Sequence, residues 1–170
     1  MANLKSGSHQ FCALHGQDLT DFFLKAQAAC ASGQVNLQVD EDGSSLIAID
    51  QGEWSYTDLW YGGEPFAGIT TIFYQGEACW CMNYFGRVMP YVEDKLAVLR
   101  VLMSALRSNS NRETPWRGPH KFTDPISGFC YRKQQQRGGL RNFQGSEKIT
   151  DSRGNTLYSA NYFGGIVNKD

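Results

Sequence analysis

The sequence predicts an α+β fold of two similar halves, each a helix packed on an antiparallel meander, sharing one core. Three observations lead there. Two stretches with helical patterning, 18–33 and 92–106, each precede a longer stretch of strand texture, 46–88 and 116–167. Residues recur in a common frame across the two strand stretches, with Asn161 falling 78 positions after Asn83. A chain of 170 residues, 41% apolar and 19% charged, is a globular domain long enough to bury a core without metal or disulfides.

The elements follow in order. Residues 1–17 read as an N-terminal segment outside the domain, which spans 18–170. Asp18-Leu19-Thr20-Asp21 supplies side-chain oxygens for the free N–H groups of a helix start, and Gly33 closes that helix. Asp40-Glu41-Asp42-Gly43-Ser44-Ser45 makes a polar loop or hairpin turn. From 46 to 88 the chain is aromatic, β-branched and alternating, punctuated by Gly52, Gly62-Gly63 and Gln75-Gly76, until Pro90 breaks it. Val92, Leu96, Leu99, Met103 and Leu106 then recur at helical spacing, a helix of four to five turns with that stripe inward. Strand texture returns from Trp116, with turns at Arg137-Gly138-Gly139 and Ser152-Arg153-Gly154-Asn155.

The repeat is carried by named residues. Phe66-x-Gly68-x-x-x-Ile72, Gly76, Trp80 and Asn83-Tyr84-Phe85-Gly86 match Phe143-x-Gly145-x-x-x-Ile149, Gly154, Tyr158 and Asn161-Tyr162-Phe163-Gly164. This predicts an internal duplication with pseudo-repeats at 18–87 and 91–165. A period that long excludes a solenoid. Alternation places Trp80, Met82 and Tyr84 with Tyr158, Ala160 and Tyr162 on an inward face, and Cys79, Cys81, Asn83 and Phe85 with Leu157, Ser159, Asn161 and Phe163 on the other.

Charge and cysteines narrow the function classes. Residues 1–90 carry three Lys/Arg against ten Asp/Glu, and residues 91–170 thirteen against seven, for a total of −1. That total excludes strong, uniform attraction to a polyanion, while the asymmetry suits pairing of the halves, a homodimer, or an anion at the basic end. No run approaches the ~18 apolar residues of a membrane span, so no membrane partner and a cytoplasmic location are expected. The five cysteines, an odd number without an export signal, are expected reduced.

Tyr56-x-Asp58-x-Trp60-x-Gly62-Gly63-x-x-Phe66-x-Gly68, then Gly76, then Trp80-x-Met82-x-Tyr84-x-Gly86-Arg87 resembles an uncharacterised bacterial family of unknown function. Arg117-Gly118-Pro119, Phe143-x-Gly145-x-Glu147-x-Ile149 and Tyr158-x-x-x-Tyr162-x-Gly164-Gly165 continue the resemblance, and Phe23-Leu24 with Ala26 and Gly33 resembles its opening helix. The resemblance implies a single α+β domain, alone or attached to helix-turn-helix regulators, and no established activity. One departure is that Thr70 stands where the counterpart of Glu147 would be acidic, which argues against a site of two symmetric carboxylates.

No phosphate-binding Gly-rich loop and no Ser/His/Asp or Cys/His nucleophile arrangement is readable. His9-x-x-Cys12-x-x-His15 lacks a fourth ligand, so no metal and no cofactor are expected. Tyr56, Asp58 and Trp60 alternate onto one strand face entering the Gly62-Gly63 turn. With Glu64, Arg87, Arg117, His120 and Glu147 they form a candidate ligand site, aromatic walls with charged anchors suited to a small amphipathic molecule. Arg132, Lys133, Arg137 and Arg141 form a candidate anion site at a hairpin. Three readings follow. The first is a non-catalytic binding or sensor module for a small molecule or protein partner. The second is an enzyme using carboxylate, Tyr and His120 acid–base chemistry. The third is a nucleic-acid-associated protein using the 132–141 hairpin.

Overall fold

Period-two alternation and Gly-centred turns build one large sheet, and two helices cover a single side of it. The computed structural model describes residues 7–33 and 35–167, the side chains of 7–14, 31, 135 and 136 excluded. The elements are α1 (Gly7–Ser32), β1 (Leu37–Val39), β2 (Ser44–Gln51), β3 (Trp54–Tyr61), β4 (Phe66–Tyr74), β5 (Glu77–Val88), α2 (Lys95–Arg107), β6 (Lys121–Thr123), β7 (Cys130–Gly139), β8 (Asn142–Thr150) and β9 (Thr156–Ile166). The strands form a nine-stranded antiparallel sheet in the order β1-β2-β3-β4-β5-β9-β8-β7-β6. The chain runs one meander outward-in, crosses through α2 to the far edge, and runs a second meander back. Its last strand closes on β5.

The two meanders share their registers. Phe66 faces Gly86, Gly68 faces Tyr84 and Ile72 faces Trp80. In the other half Phe143 faces Gly164, Gly145 faces Tyr162 and Ile149 faces Tyr158. Where the halves meet, Tyr84 faces Tyr162, Asn83 faces Phe163 and Phe85 faces Asn161, a pairing symmetric about the two tyrosines.

The alternation fixes the two faces. Trp80, Met82, Tyr158, Ala160 and Tyr162 are all buried beneath the helices. Phe85 and Phe163, one position over, remain 52% and 59% exposed. Leu19, Phe22, Phe23 and Ala26 of α1 pack with Tyr56, Ile72 and Trp80. Val98, Val101, Leu102 and Ala105 of α2 pack with Tyr131, Ile149 and Tyr158. Trp80 is the hinge of the core. Phe23 meets its ring edge-on at 5.1 Å, Phe143 stacks at 5.5 Å, and its indole N–H donates to the Leu140 carbonyl at 3.2 Å.

Three details differ from the sequence reading. α1 begins at Gly7, inside the segment assigned to 1–17, so Asp18, Thr20 and Asp21 lie within the helix rather than at its start, and Thr20 turns its hydroxyl onto the Gly16 carbonyl at 2.9 Å. α2 is capped by Asp94, which accepts from the Ala97 N–H, and spans 13 residues. Its buried stripe is Val98, Val101, Leu102 and Ala105, whereas Leu96 is 73% exposed. Val92, Leu99 and Leu106 of the expected stripe are partly buried and pack against the margin of the same core. Finally, a register shift opposite Ile72 and Phe73 separates Cys79 from Cys81: Cys79 is buried and donates to the Ile72 carbonyl, and Cys81 is half-buried.

Candidate functional site

The two helices meet over the sheet, and beneath them a space above the first half-sheet is left unfilled. The result is a cavity of about 310 Å³ over β3, β4 and β5. Tyr56, Asp58 and Trp60 from β3, with Thr70, Met82 and Tyr84, form its floor. Phe23, Gln27 and Cys30 of α1 and Leu99, Met103 and Leu106 of α2 enclose it from above. Gly62, Gly63 and Phe66 stand at one end, and Trp116 and Arg117 of the segment after α2 line it as well. Of the expected inward stripe, Leu99, Met103 and Leu106 therefore line the cavity, and Leu99 and Leu106 also pack against the core.

Asp58 is the polar centre of the floor. Strand register sets Asp58 opposite Thr70, and Tyr84 opposite Gly68 on the next strand. A Cβ at position 68 would lie 2.5 Å from the Tyr84 hydroxyl, so glycine there is what lets the phenol reach across. Tyr84 Oη and Thr70 Oγ1 both donate to Asp58 Oδ1, at 2.8 and 3.0 Å. Oδ2 accepts no hydrogen bond from any described residue. Burial raises the Asp58 pKa above the ordinary carboxylate range, against the opposing pull of the two hydroxyls and the Arg117 charge. Burial likewise pushes the Cys30 thiol up to about 11 and the Tyr56 and Tyr84 phenols far above their usual range.

Arg117 reaches the cavity with its charge already engaged. Its Nε donates to Glu147 Oε2 at 3.0 Å, and Nη2 closes a bidentate pair with Oε1. Tyr131 and Tyr158 donate to the same carboxylate at 2.6 and 3.1 Å. Glu147 is fully buried. Burial alone would raise its pKa, but the Arg117 charge, the guanidinium hydrogen bonds and the two phenols together hold it below the usual range. The guanidinium lies 5.9 Å from the Tyr84 ring centre and 5.8 Å from that of Tyr162. This completed network occupies the half-sheet position that corresponds by register to Asp58 and Thr70, where Lys133 faces Glu147.

Of the eight residues read as a ligand site, the structure brings Tyr56, Asp58, Trp60 and Arg117 to the cavity, with Glu147 behind Arg117. Glu64 instead accepts the Val88 N–H at 2.7 Å and ties the β3–β4 loop to the end of β5; its other oxygen is buried without a partner. Arg87 is exposed on the opposite face, because it alternates with the buried Val88. His120 is an exposed residue before β6, outside the cavity lining. The anion cluster divides by the same alternation. Arg132, Arg137 and Arg141 are exposed, whereas Lys133 is buried, donates to the Thr114 carbonyl and hydroxyl at 3.1 and 2.8 Å, and is pushed down to about 8 by burial. No metal-binding group of three His, Cys, Asp or Glu occurs among the described residues; the side chains of His9 and Cys12 lie outside them.

Thr70 and Tyr84, the two donors to Asp58, were not read as site residues. The signal for them was present: once β3 and β4 form a hairpin, Thr70 must face Asp58, and the repeated Gly68/Gly145 marks where a facing tyrosine lies across the strand. Trp116, fully buried with an indole N–H that lacks a partner, was also missed. No helix is long and apolar enough to cross a membrane among the described residues. The family described as "Domain of unknown function (DUF5680)" matches residues 58–167. No curated protein and no solved structure matches the chain.

Proposed function

The chain belongs to that family of unknown function, and we propose that it is a binding or sensor module that holds a small amphipathic molecule in the cavity between the helices and the sheet. The observation that carries this reading is Asp58. It is a desolvated carboxylate with both hydrogen bonds on one oxygen and the other uncommitted, on the floor of a cavity with apolar and aromatic walls. A few convergent polar groups among apolar walls are the usual form of a small-ligand site.

The charge balance favours a cation. The Arg117 charge is matched by Glu147, so Asp58 sets the sign of the field inside the cavity. The rings of Tyr56, Trp60 and Tyr84 line the same floor. Ring faces attract organic cations by about 0.5–2 kcal/mol each, more when water is excluded. An amine or quaternary ammonium on an apolar body meets all of these features. Catalysis is less well supported. Cys30 stays a thiol at neutral pH, the phenols stay protonated, and no histidine lines the cavity among the described residues.

The test is a matched pair of probes in isothermal titration. These are (4-hydroxyphenyl)trimethylammonium and 4-tert-butylphenol, alike in shape and different by one charge. The cation should bind at least about tenfold more tightly, or about 1.4 kcal/mol. Equal or tighter binding of the neutral phenol contradicts the charge assignment, and binding of neither contradicts the ligand site. We also read the two half-sheets as copies of one duplicated unit, a reading supported by their shared registers.

A further inference from the structure

The side of the sheet away from the helices has no covering element among the described residues, and its composition changes along its width. Over β6, β7, β8, β9 and β5 the register aligns Lys121, Arg132, Lys148, Ser159 and Arg87 in one row. At about 4.8 Å per strand that row is roughly 19 Å long. None of its four cations makes an ion pair or hydrogen bond with a described residue, and Lys121, Arg132 and Arg87 are exposed. β6, β7 and β9 contain no acidic residue, and the one in β8, Glu147, is buried on the other side.

Beside this row stand the two exposed phenylalanines. Phe85 faces Asn161 and Phe163 faces Asn83, so the rings are diagonal neighbours across β5 and β9, about 7–8 Å apart. Phe163 also borders a separate crevice of about 250 Å³, whose other walls include Arg137, Gln144, Ser146 and Asn161. Side-chain amides and a hydroxyl can donate and accept at the edge of a planar heterocycle, and the ring of Phe163 supplies a stacking face. The cations alone would suit any polyanion. The exposed rings with an amide-lined crevice suit a polyanion that also carries flat bases.

We propose that the open face of β5–β9 binds single-stranded nucleic acid, with bases stacked on Phe85 and Phe163, one base edge in the Gln144/Ser146/Asn161 crevice, and the phosphates along Lys121, Arg132, Lys148 and Arg87. Stacking of successive bases on ring platforms beside a cationic track is how single strands are held without dependence on sequence. The surface lies on the opposite side of the sheet from the Asp58 cavity and does not depend on it. It also differs from the hairpin read in the sequence, because Lys133 faces inward and Lys121, Lys148 and Arg87 join from other strands.

The experiment is fluorescence anisotropy of the full chain with labelled dodecamers of uridylate and thymidylate, a DNA duplex of the same length, and inorganic polyphosphate as competitor. Both single strands should bind more tightly than the duplex; preference for one of them separates RNA from DNA. Phe163→Ala, at an exposed site and with its fold checked by circular dichroism, should weaken single-strand binding about tenfold without changing the salt slope. Arg132→Gln should lower that slope by about 0.7. Binding of duplex and polyphosphate as tight as the single strands, unaffected by Phe163→Ala, would overturn the proposal in favour of a purely electrostatic surface. Absence of any anisotropy change at low salt would overturn it outright.

Discussion

Replacing Glu147 with Gln removes one charge and almost no volume. Glu147 is fully buried and accepts two hydrogen bonds from Arg117 and one each from Tyr131 and Tyr158. Glutamine offers one acceptor oxygen and turns an amide N–H₂ toward groups that are themselves donors. Arg117, only 7% exposed, is then a buried cation without its counter-charge. Removing one partner of a buried pair typically costs about 3–5 kcal/mol, a large share of the roughly 5–15 kcal/mol that holds a domain folded. Urea unfolding followed by the fluorescence of the buried Trp80 and Trp116 should show the midpoint falling by roughly 2 M at an m-value of about 2 kcal/mol/M. The double variant Arg117→Met with Glu147→Gln removes the stranded charge and should recover most of the loss. A midpoint change below about 0.5 M in the single variant, or a double variant no more stable than the single, would refute the reasoning.

The pH dependence separates the buried Glu147 from the half-buried Asp58 by sign. Glu147 holds its proton less tightly when folded, so its stabilisation is complete above the ordinary glutamate range and is lost as pH falls through the folded value. Glu147→Gln should therefore flatten the acid limb of a stability profile taken from about pH 3 to 8, and an unchanged limb would contradict it. Asp58 holds its proton more tightly when folded, so stability declines as pH rises through its raised pKa, and Asp58→Asn should remove that decline. Trp80→Ala should cost about 3–5 kcal/mol in denaturant unfolding because Phe23, Phe143 and Trp116 all close on its ring. A loss under about 1 kcal/mol would place that ring outside the core.

The strand architecture was legible because its determinants are local. Alternation in 54–61 placed Tyr56 and Asp58 on one common face, alternation in 77–88 assigned Trp80 and Met82 to the inward face, and Gly33 and Gly76 marked the ends of elements where the backbone takes positive φ. Phe85 and Phe163 fell on the outward face by the same rule. The site was legible only in its β3 floor and Arg117. Arg87 and Glu64 lie near glycines in sequence, yet one alternation step sends Arg87 to the other face, and Glu64 is drawn to an N–H at the end of β5. The α2 stripe misled because leucine and methionine at helical spacing mark any apolar surroundings, and here those surroundings are a cavity wall as well as a core. The Arg117–Glu147 pair joins residues 30 apart, from the loop before β6 to the middle of β8, so no local spacing rule reveals it.

Asp58 is the proposed anchor of a charged ligand, and the most direct measurement is the cation-to-phenol affinity ratio in Asp58→Asn. Asparagine keeps the size of the side chain and an oxygen for Tyr84 and Thr70, removes the charge, and puts an amide N–H₂ in place of Oδ2. The preference for (4-hydroxyphenyl)trimethylammonium, about tenfold in the unmodified chain, should fall to near one while 4-tert-butylphenol binds as before. If Asp58→Asn folds normally and retains the full cation preference, Asp58 is not the anchor and the cavity reading is contradicted at its centre.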